Sequence, residues 1–322
     1  MKAVFYAAHG GPGVLQTGDL PIPVPGDNQV LVQVAAAGVN PIDRRLRAGE
    51  LQEYITRTFP VVPGWDLAGR IVARGKNVSD WNIGDAVLGL AFNWSVQHGT
   101  YAEYAPIDAS AIAAKPASMS FIEAAALPLV SLTAWQALAE YANLQPGQTV
   151  LIQAGAGGLG SAAIPMAKRL GAIVYTTARH KNFNYVRGLG ADHLIDYSSS
   201  DYEQVLRSQA PGGVDVILAS LLEEGAAEAA IRLVKTGGVV AYMNNEPPDM
   251  PEIATRKIRT EFLHHRADGR MLAELVAHYA RGTFRLPRIQ VMNLDDAQQA
   301  HRQSESGQTQ GKLVLRVRTL EH

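Results

Sequence analysis

A glycine-rich segment constrains the fold of this chain more than any other feature. Residues 154–160 read AGAGGLG, so Gly155, Gly157 and Gly160 have the spacing GxGxxG, between the apolar run VLIQA and the helical pattern LGSAAIPMAKRL. In a strand–turn–helix unit the first glycine makes the turn, the second lets backbone N–H groups approach a pyrophosphate, and the third lets helix and strand pack closely. The pattern predicts a dinucleotide-binding unit; the alternative is a structural turn that is merely rich in glycine.

From residue 150 onward, short apolar strands alternate with helical stretches. Strands are predicted at residues 150–154, 173–177, 193–195, 214–219, 239–243 and 260–263. Helices are predicted between them at residues 159–170, 183–189, 202–208 and 223–234. This alternation is typical of right-handed βαβ crossovers and predicts an α/β fold with a doubly wound parallel sheet of the Rossmann type.

The two ends of the chain have other patterns. Before residue 120, Gly and Pro clusters separate runs typical of an antiparallel, barrel-like sheet, at residues 2–8, 30–39, 70–74, 86–90 and 101–107. Ser120 and Glu123 have the spacing of a capping box at a helix start, and a second helix is predicted at residues 132–142. After residue 264 the pattern predicts helix, strand, helix and strand at residues 271–280, 289–292, 295–305 and 313–317.

The length and these changes of pattern predict two domains. The chain has 322 residues, and single hydrophobic cores usually split above about 250 to 300 residues. We expect a discontinuous catalytic domain, residues 1–120 and 265–322, that encloses a nucleotide-binding domain of residues 121–264.

Composition excludes several classes of function. The 29 Lys and Arg residues nearly balance the 30 Asp and Glu residues, which gives no general electrostatic reason to bind nucleic acid or an anionic membrane. Cysteine is absent, which excludes disulfides, thiolate nucleophiles and cysteine-ligated metal sites. No stretch approaches the roughly 20 apolar residues of a membrane span, and no signal-peptide pattern begins the sequence. The cytoplasm is therefore the expected location.

The segment after the second predicted strand of the central domain bears on which dinucleotide binds. Dinucleotide sites for NAD place an acidic residue there to hold the ribose 2′-hydroxyl. No acid occurs between Tyr175 and Ala191; Arg179 and Lys181 stand there instead. Because a guanidinium and an ammonium can bind a 2′-phosphate, NADPH is predicted over NADH. The alternative is that both are ordinary solvated charges at a helix start.

The order of several short phrases resembles that of a known superfamily. The phrases are GVNPIDRR (38–45), VPGWDLAGRIV (62–72), GTYAEY (99–104), SLTAW (131–135), AGAGGLG (154–160), GADHLIDY (190–197) and GKLVL (311–315). Over essentially the whole chain they resemble the medium-chain dehydrogenase/reductase superfamily, and within it the zinc-independent quinone oxidoreductase, or zeta-crystallin-like, branch. The resemblance implies a GroES-like antiparallel β-barrel catalytic domain beside a Rossmann domain that binds NADPH, and a homodimer.

The resemblance also bears on metal chemistry. Zinc alcohol dehydrogenases of the superfamily have a catalytic Cys where this chain has Asn40, and a His ligand where it has Trp65, followed here by Asp66. Zinc needs thiolate, imidazole or carboxylate donors, so we expect no catalytic zinc. The implied reaction is direct hydride transfer from NADPH to a quinone or an α,β-unsaturated carbonyl.

Site residues follow from the resemblance position by position. It implies that Asn40 and Thr133 are catalytic, beside the nicotinamide. The cofactor-binding residues that it implies, together with the glycine-rich segment, are Gly155, Ala156, Gly157, Gly158, Leu159, Gly160, Thr177, Arg179, Lys181, Tyr197, Asn244 and Lys312. Each has an alternative: Asn40 as a turn residue, Thr133 on a helix face, and Lys312 as a solvated charge at a strand edge. Trp65 is either an apolar wall or a surface for a flat substrate.

Two departures from the family pattern make the substrate uncertain. Arg44, Arg45 and Leu46 occupy the stretch where relatives often carry a tyrosine near the substrate. Ala219 to Leu221 replace the usual D-x-x-G strand ending. The alternative functions are an enoyl-thioester reductase and a protein that binds NADPH as a sensor or structural ligand without turnover.

Overall fold

The computed structural model describes residues 1–199 and 201–320. The chain divides into two compact units, Met1–Leu132 with Arg266–His322, and Thr133–His265. We name the first the discontinuous unit and the second the central unit. Within the residues described, no helix has the length and hydropathy needed to cross a lipid bilayer.

The secondary-structure elements are numbered along the chain. The strands are β1 (Lys2–Phe5), β2 (Gln16–Asp19), β3 (Gln29–Val39), β4 (Thr56–Val62), β5 (Asp66–Arg74), β6 (Ala86–Leu90), β7 (Ser95–His98), β8 (Tyr104–Asp108), β9 (Ile112–Ala114), β10 (Thr149–Ile152), β11 (Ile173–Thr177), β12 (His193–Ile195), β13 (Val214–Ala219), β14 (Val234–Tyr242), β15 (Arg259–Phe262), β16 (Ile289–Asn293) and β17 (Lys312–Arg316). The α-helices are α1 (Pro41–Ala48), α2 (Phe121–Ala125), α3 (Pro128–Trp135), α4 (Gly158–Arg169), α5 (Phe183–Leu189), α6 (Tyr202–Gln209), α7 (Ala226–Leu233), α8 (Pro251–Thr255), α9 (Gly269–Ala280) and α10 (Ala297–Glu305).

The central unit contains a parallel sheet. In the part of the chain that is described, its strand order is β12-β11-β10-β13-β14-β15, and each neighbouring pair is parallel. The order runs outward from β10 in both directions, which confirms the doubly wound Rossmann arrangement predicted from the sequence. In such sheets ligands bind outside the carboxyl ends of the strands where the winding reverses, here β10 and β13.

The discontinuous unit contains a second, mainly antiparallel sheet. Its order is β16-β17-β3-β5-β6-β9, with β8 paired to the first half of β3. Strand β3 lies between β17 and β5, antiparallel to both. The pairing of β16 with β17 is parallel, because α10 makes the crossover between them. The α/β fold class expected from the sequence is therefore confirmed.

The predicted elements agree with the observed ones best where the pattern is local. Four predicted strands have the observed bounds, namely Ala86–Leu90, Ile173–Thr177, His193–Ile195 and Val214–Ala219. At α2, the capping box is formed: the Ser120 hydroxyl accepts from the Glu123 N–H at 3.2 Å, and the Glu123 carboxylate accepts from the Ser120 N–H at 2.8 Å. The helix predicted at residues 132–142 instead begins at Pro128, because the first turn of a helix does not need the N–H that proline lacks. From Gln136 to Tyr141 the chain continues as a π-helix.

Helix α1 was not predicted from the sequence. Its residues PIDRRLRA are mostly polar, so no apolar periodicity marks the helix. The signals that could have found it are Asn40 before Pro41, a common pair at a helix N-terminus, and Gly49, which ends the helix in the left-handed conformation.

Candidate active site

The glycine-rich segment joins β10 to the N-terminus of α4 at the reversal point of the central sheet. A Cβ atom on Gly155 would lie 1.9 Å from the Thr176 hydroxyl oxygen, and one on Gly160 would lie 2.4 Å from the Cα of Gly155. Both positions therefore require glycine for close packing of loop, strand and helix. A Cβ on Gly157, the N-cap of α4, would meet only the carbonyl oxygen of Ala154, at 3.3 Å.

The same loop is held to β11. The Gly155 N–H donates to the Thr177 carbonyl at 3.0 Å, and the Ala154 N–H donates to the Thr177 hydroxyl at 2.9 Å. Thr177, which was predicted to bind the cofactor, is thus placed at the glycine-rich turn. The turn leads directly into the first N–H groups of a 12-residue helix, which favour a bound anion.

Two of the residues expected at a 2′-phosphate lie together after β11 and β12. Arg179 donates from Nε to the Tyr197 hydroxyl at 3.2 Å, and its guanidinium lies 6.0 Å from the centre of the Tyr197 ring. Lys181 follows on the next turn and is exposed; among the described residues it makes no hydrogen bond or ion pair. Two cationic side chains are therefore presented at one end of β11.

Asp196, a carboxylate that was not among the predicted site residues, lies near this turn. Asp196 accepts from the Ser198 hydroxyl at 2.6 Å and from the Ser198 N–H at 2.9 Å, and these bonds hold the pKa of Asp196 below its usual range. The backbone N–H of His180 contributes to the same effect. Asp196 therefore anchors the turn that carries Arg179 and Lys181.

Polar side chains tie the carboxyl ends of β10, β13 and β14 together. The Gln153 carbonyl Oε1 accepts from the backbone N–H groups of Ser220 and Leu221, at 3.0 and 3.3 Å. Asn244 donates from Nδ2 to the Ser220 carbonyl at 2.6 Å. Ser220, which departs from the family strand ending, is therefore fixed by two neighbouring strands. The Gln153 Nε2 is buried with no hydrogen-bond partner among the described residues.

Asn40, one of the two residues predicted to be catalytic, lies at the junction of β3 and α1 in the discontinuous unit. Its backbone N–H donates to the Asp43 carboxylate at 2.8 Å, which fixes the start of the helix. Its side-chain amide is hydrogen-bonded to two other residues: Nδ2 donates to Asp66 Oδ2 at 2.8 Å, and Oδ1 accepts from the Lys312 ammonium. Asn40 is 1% exposed.

Asp66 and Lys312 form a buried ion pair around this amide. Lys312 Nζ lies 3.0 Å from Asp66 Oδ2 and also donates to the Val39 carbonyl at 3.0 Å. The other carboxylate oxygen of Asp66 accepts from the Leu129 N–H at 2.8 Å. Lys312 is 2% exposed and Asp66 is 0% exposed, so Lys312 is not the solvated edge charge considered from the sequence.

A second buried carboxyl, that of Asp43, lies on the first turn of α1. Asp43 Oδ2 also accepts from the Tyr101 hydroxyl at 3.0 Å, whereas Oδ1 has no partner among the described residues. Burial raises the pKa of Asp43 to about 7, because removal from water disfavours the ionised form. Burial also raises the pKa of Tyr101 well above its usual value.

Trp65 and Thr133 are both buried. Trp65 is 2% exposed, and its ring lies edge-on to Phe92 with centroids 4.9 Å apart. The tryptophan thus belongs to the apolar wall of the unit. Thr133, on α3, is 8% exposed, and its hydroxyl has no hydrogen-bond partner among residues 1–199 and 201–320.

Comparisons with known proteins agree with this architecture. A model of the alcohol dehydrogenase GroES-like domain matches residues 26–117, and a model of the zinc-binding dehydrogenase family matches residues 189–315. Over 98% of its length the chain is 32% identical to 2-methylene-furan-3-one reductase from Solanum lycopersicum, of which it covers 79%. This chain belongs to the medium-chain dehydrogenase/reductase superfamily. Within the superfamily it fits the quinone oxidoreductase, or zeta-crystallin-like, branch.

Solved structures of this superfamily support the same assignment. The quinone oxidoreductase from Coxiella burnetii is 32% identical and superposes with a TM-score of 0.88 over 99% of both chains. The Escherichia coli quinone oxidoreductase complexed with NADPH is 25% identical, with a TM-score of 0.88 over 98% of this chain and 100% of that one. The GroES-like and Rossmann domains predicted from the resemblance are therefore confirmed.

The family name raises the question of zinc, and the donor atoms of this medium-chain reductase do not fit that metal. The described residues include no group of three or more His, Cys, Asp or Glu side chains that could hold a metal ion. Asn40 and Trp65 occupy the positions of two ligands, and neither an amide nor an indole replaces thiolate or imidazole well. Asp66, which follows Trp65 in the chain and accepts from the Asn40 amide, is paired with Lys312.

Sequence reasoning did not find that Asp66 and Lys312 meet. Strand register explains their meeting: Gly38 on β3 pairs with Asp66 on β5, and Val39 pairs with Leu313 on β17. A Cβ on Gly38 would lie 2.7 Å from Asp66 Oδ2, so glycine at this position leaves the space that the carboxylate occupies. Both charged residues lie in phrases typical of the family, but their pairing across β3 requires the sheet.

Proposed function

We propose that this protein is an NADPH-dependent reductase that transfers hydride to a quinone or to an α,β-unsaturated carbonyl compound, without zinc. The observation that carries the proposal is the glycine-rich turn at the reversal point of the parallel sheet, followed at the end of β11 by Arg179 and Lys181. A turn of this kind binds a pyrophosphate, and the two cations favour the additional 2′-phosphate of NADPH.

The residues of the central unit fit this cofactor. The backbone at Gly157 and the N-terminus of α4 would hold the pyrophosphate, since a Cβ on Gly157 would meet one backbone oxygen, at 3.3 Å, whereas a Cβ on Gly155 or Gly160 would overlap its neighbours. Arg179, Lys181 and Tyr197 would hold the adenosine end. Asn244 lies on the loop after β14, which the family places under the cofactor. When bound, NADPH supplies a hydride from C4 of its nicotinamide.

The other residues determine what can accept that hydride. Asn40 and Thr133 are proposed to contact the nicotinamide or the acceptor with uncharged hydrogen-bonding groups. Because the described residues offer no set of metal ligands that could polarise a ketone, the acceptor must itself be electrophilic, as quinones and activated carbon–carbon double bonds are. The anion left after hydride transfer takes its proton from water, and the protein's task is alignment of the two reactants.

The relatives support both classes of acceptor. The tomato protein is named as a reductase of a 2-methylene-furan-3-one, which is an activated alkene, and the two bacterial structures are named quinone oxidoreductases. The homodimer and the cytoplasmic location expected from the sequence stay predictions.

The proposal is tested by following NADPH oxidation with purified protein against quinones, 2-alkenals, enones and enoyl-thioesters. We expect consumption of NADPH with quinones or enones, undiminished after treatment with a strong chelator, and no stoichiometric zinc by metal analysis. Consumption only with enoyl-thioesters would assign the enoyl-thioester reductase instead. Tight NADPH binding with no oxidation across the panel would contradict the proposal and favour a sensor.

A further inference from the structure

The side chain of Asn40 has only one chemically permitted orientation. An ammonium group can only donate hydrogen bonds, and an ionised carboxylate can only accept them. Lys312 contacts one end of the amide and Asp66 contacts the other. The carbonyl oxygen must therefore face Lys312 and the NH₂ group must face Asp66. The flipped amide would place two donors together at Lys312 and two acceptors together at Asp66.

The ion pair has no other evident task in this reaction. The three N–H donors of Lys312 are taken by Val39, Asn40 and Asp66. Lys312 thus has no proton left to give to a cofactor phosphate. Asp66 accepts from Lys312, Asn40 and the Leu129 N–H. Asn40, in contrast, has a second N–H on Nδ2, and Asp66 is the one acceptor that the described residues give to that nitrogen.

We propose that Lys312 and Asp66 are positioning residues for hydride transfer, which act by holding the Asn40 amide with its second N–H available to the nicotinamide or the acceptor. The inference rests on the proposed function, since it requires that Asn40 contact the reactants. It reassigns Lys312 from direct cofactor binding to a role through Asn40. A buried pair of charges is poor evidence for stability, which makes orientation the better explanation for its presence.

The test uses isosteric substitutions that remove the charges together. Lys312→Met with Asp66→Asn keeps the side-chain volumes, and replacing both members of a buried ion pair avoids a lone buried charge. We expect the single-turnover rate of hydride transfer to fall roughly 100-fold, as misplacement of a reacting group does. NADPH affinity and the melting temperature should stay close to those of the wild type.

The same double change is then made in an Asn40→Ala background. If the pair acts through Asn40, the double substitution should lower the hydride-transfer rate of the Asn40→Ala protein by less than about 3-fold, since the effects of coupled residues do not add. An equal loss in both backgrounds, or no loss in the wild-type background, would overturn the inference while leaving the proposed function intact. An active Asn40→Ala protein would also overturn it. A wild-type protein that oxidises no NADPH would refute the proposed function itself.

A matched control exists in the central unit. Lys235 lies 2.9 Å from Asp215 Oδ2, and Asp215, like Asp66, also accepts a backbone N–H, that of Thr149. This pair lies at the opposite end of the parallel strands from the glycine-rich turn, because Asp215 is the second residue of β13. Lys235→Met with Asp215→Asn should leave the hydride-transfer rate unchanged.

Two further measurements apply even where the double variant fails to fold. Lys312→Gln keeps a neutral donor toward Asn40, so it should recover part of the rate that Lys312→Met loses; equal rates for the two would contradict a positioning role. In the wild-type protein without cofactor, the Asn40 side-chain amide should give two well-separated proton resonances that exchange slowly with water. Exchange with water as fast as that of an exposed asparagine side chain would show that the pair does not hold the amide.

Discussion

At the scale of single residues, the chemistry of this protein depends on which polar groups already have partners. Lys312 and Asp66 are saturated by their neighbours, and Asn40 is left with one N–H. Arg179 uses Nε on Tyr197, so the remaining four N–H groups of its guanidinium can still bind a ligand. The two cationic residues Lys312 and Arg179 thus differ in what they can still bind, because their neighbours differ.

The first prediction concerns Arg179. Arg179→Ala should weaken NADPH binding by about 1.5 to 3 kcal/mol, the usual contribution of a hydrogen bond to a charged group. NADH affinity should barely change, because NADH lacks the 2′-phosphate. Titration of both cofactors by fluorescence measures the difference; an equal loss for NADH and NADPH would mean that Arg179 does not contact the phosphate.

At the scale of secondary-structure elements, the junction of β10 and α4 is set by glycines with different tasks. Gly160 brings the first turn of the helix against the backbone of Gly155, with no room for a Cβ. Gly157, with φ −78° and ψ −178°, has a backbone conformation that any residue adopts, and a Cβ there would be close to one atom only, the Ala154 carbonyl oxygen at 3.3 Å. The first task is packing and the second is access for a ligand.

The second prediction separates these two tasks. Gly160→Ala should lose both NADPH affinity and about 1 to 3 kcal/mol of unfolding free energy, the usual result of overpacking. Gly157→Ala should lose affinity while its unfolding free energy stays within about 0.5 kcal/mol of the wild type. Denaturant unfolding and cofactor titration of both variants make the comparison. A Gly157→Ala protein that binds NADPH normally would contradict the proposed pyrophosphate site.

At the scale of the whole molecule, stability depends on pH through buried groups of opposite sign. The pKa of Asp43 rises from 3.8 to about 7 by burial, whereas burial lowers the pKa of His301 from 6.5 to about 3. Between the two pKa values of Asp43, the folded state holds a proton on this carboxyl that the unfolded state has released. The free energy of unfolding therefore falls as pH rises from about 4 to 7. For His301 the unfolded state binds the extra proton, so its contribution to stability rises with pH from about 3 to 6.5.

The third prediction isolates the Asp43 contribution. Asp43→Asn should remove a fall in unfolding free energy on the order of 4 kcal/mol between pH 4 and pH 8, because an amide does not titrate there. The measurement is denaturant unfolding across that pH range for wild type and variant. Asp27→Asn, at an exposed ion pair with Lys76, is the control and should leave the slope unchanged. Parallel curves for wild type and Asp43→Asn would show that Asp43 titrates near its ordinary pKa.

How much the sequence predicts also depends on scale. The strand of residues 173–177 and the glycine-rich turn were predicted because their signals lie within a few consecutive residues. Tyr197 was expected at the 2′-phosphate from the resemblance and Arg179 from the absence of an acid after β11, and the structure brings the two side chains into contact. Asp66 and Lys312, 246 positions apart, meet only because β3 lies between their strands. No local pattern predicts this contact. That Gly38 leaves space for the Asp66 carboxylate can be seen only in the structure.

The position of Lys312 on the last strand has a consequence for biosynthesis. A ribosome makes the glycine-rich turn and Asn40 long before it makes β17, so a nascent chain can begin to fold its nucleotide-binding half while the amide still lacks its ammonium partner. If Lys312 positions Asn40 as proposed, hydride transfer becomes possible only once β17 has been made, and a translation product interrupted before β17 would bind NADPH without oxidising it.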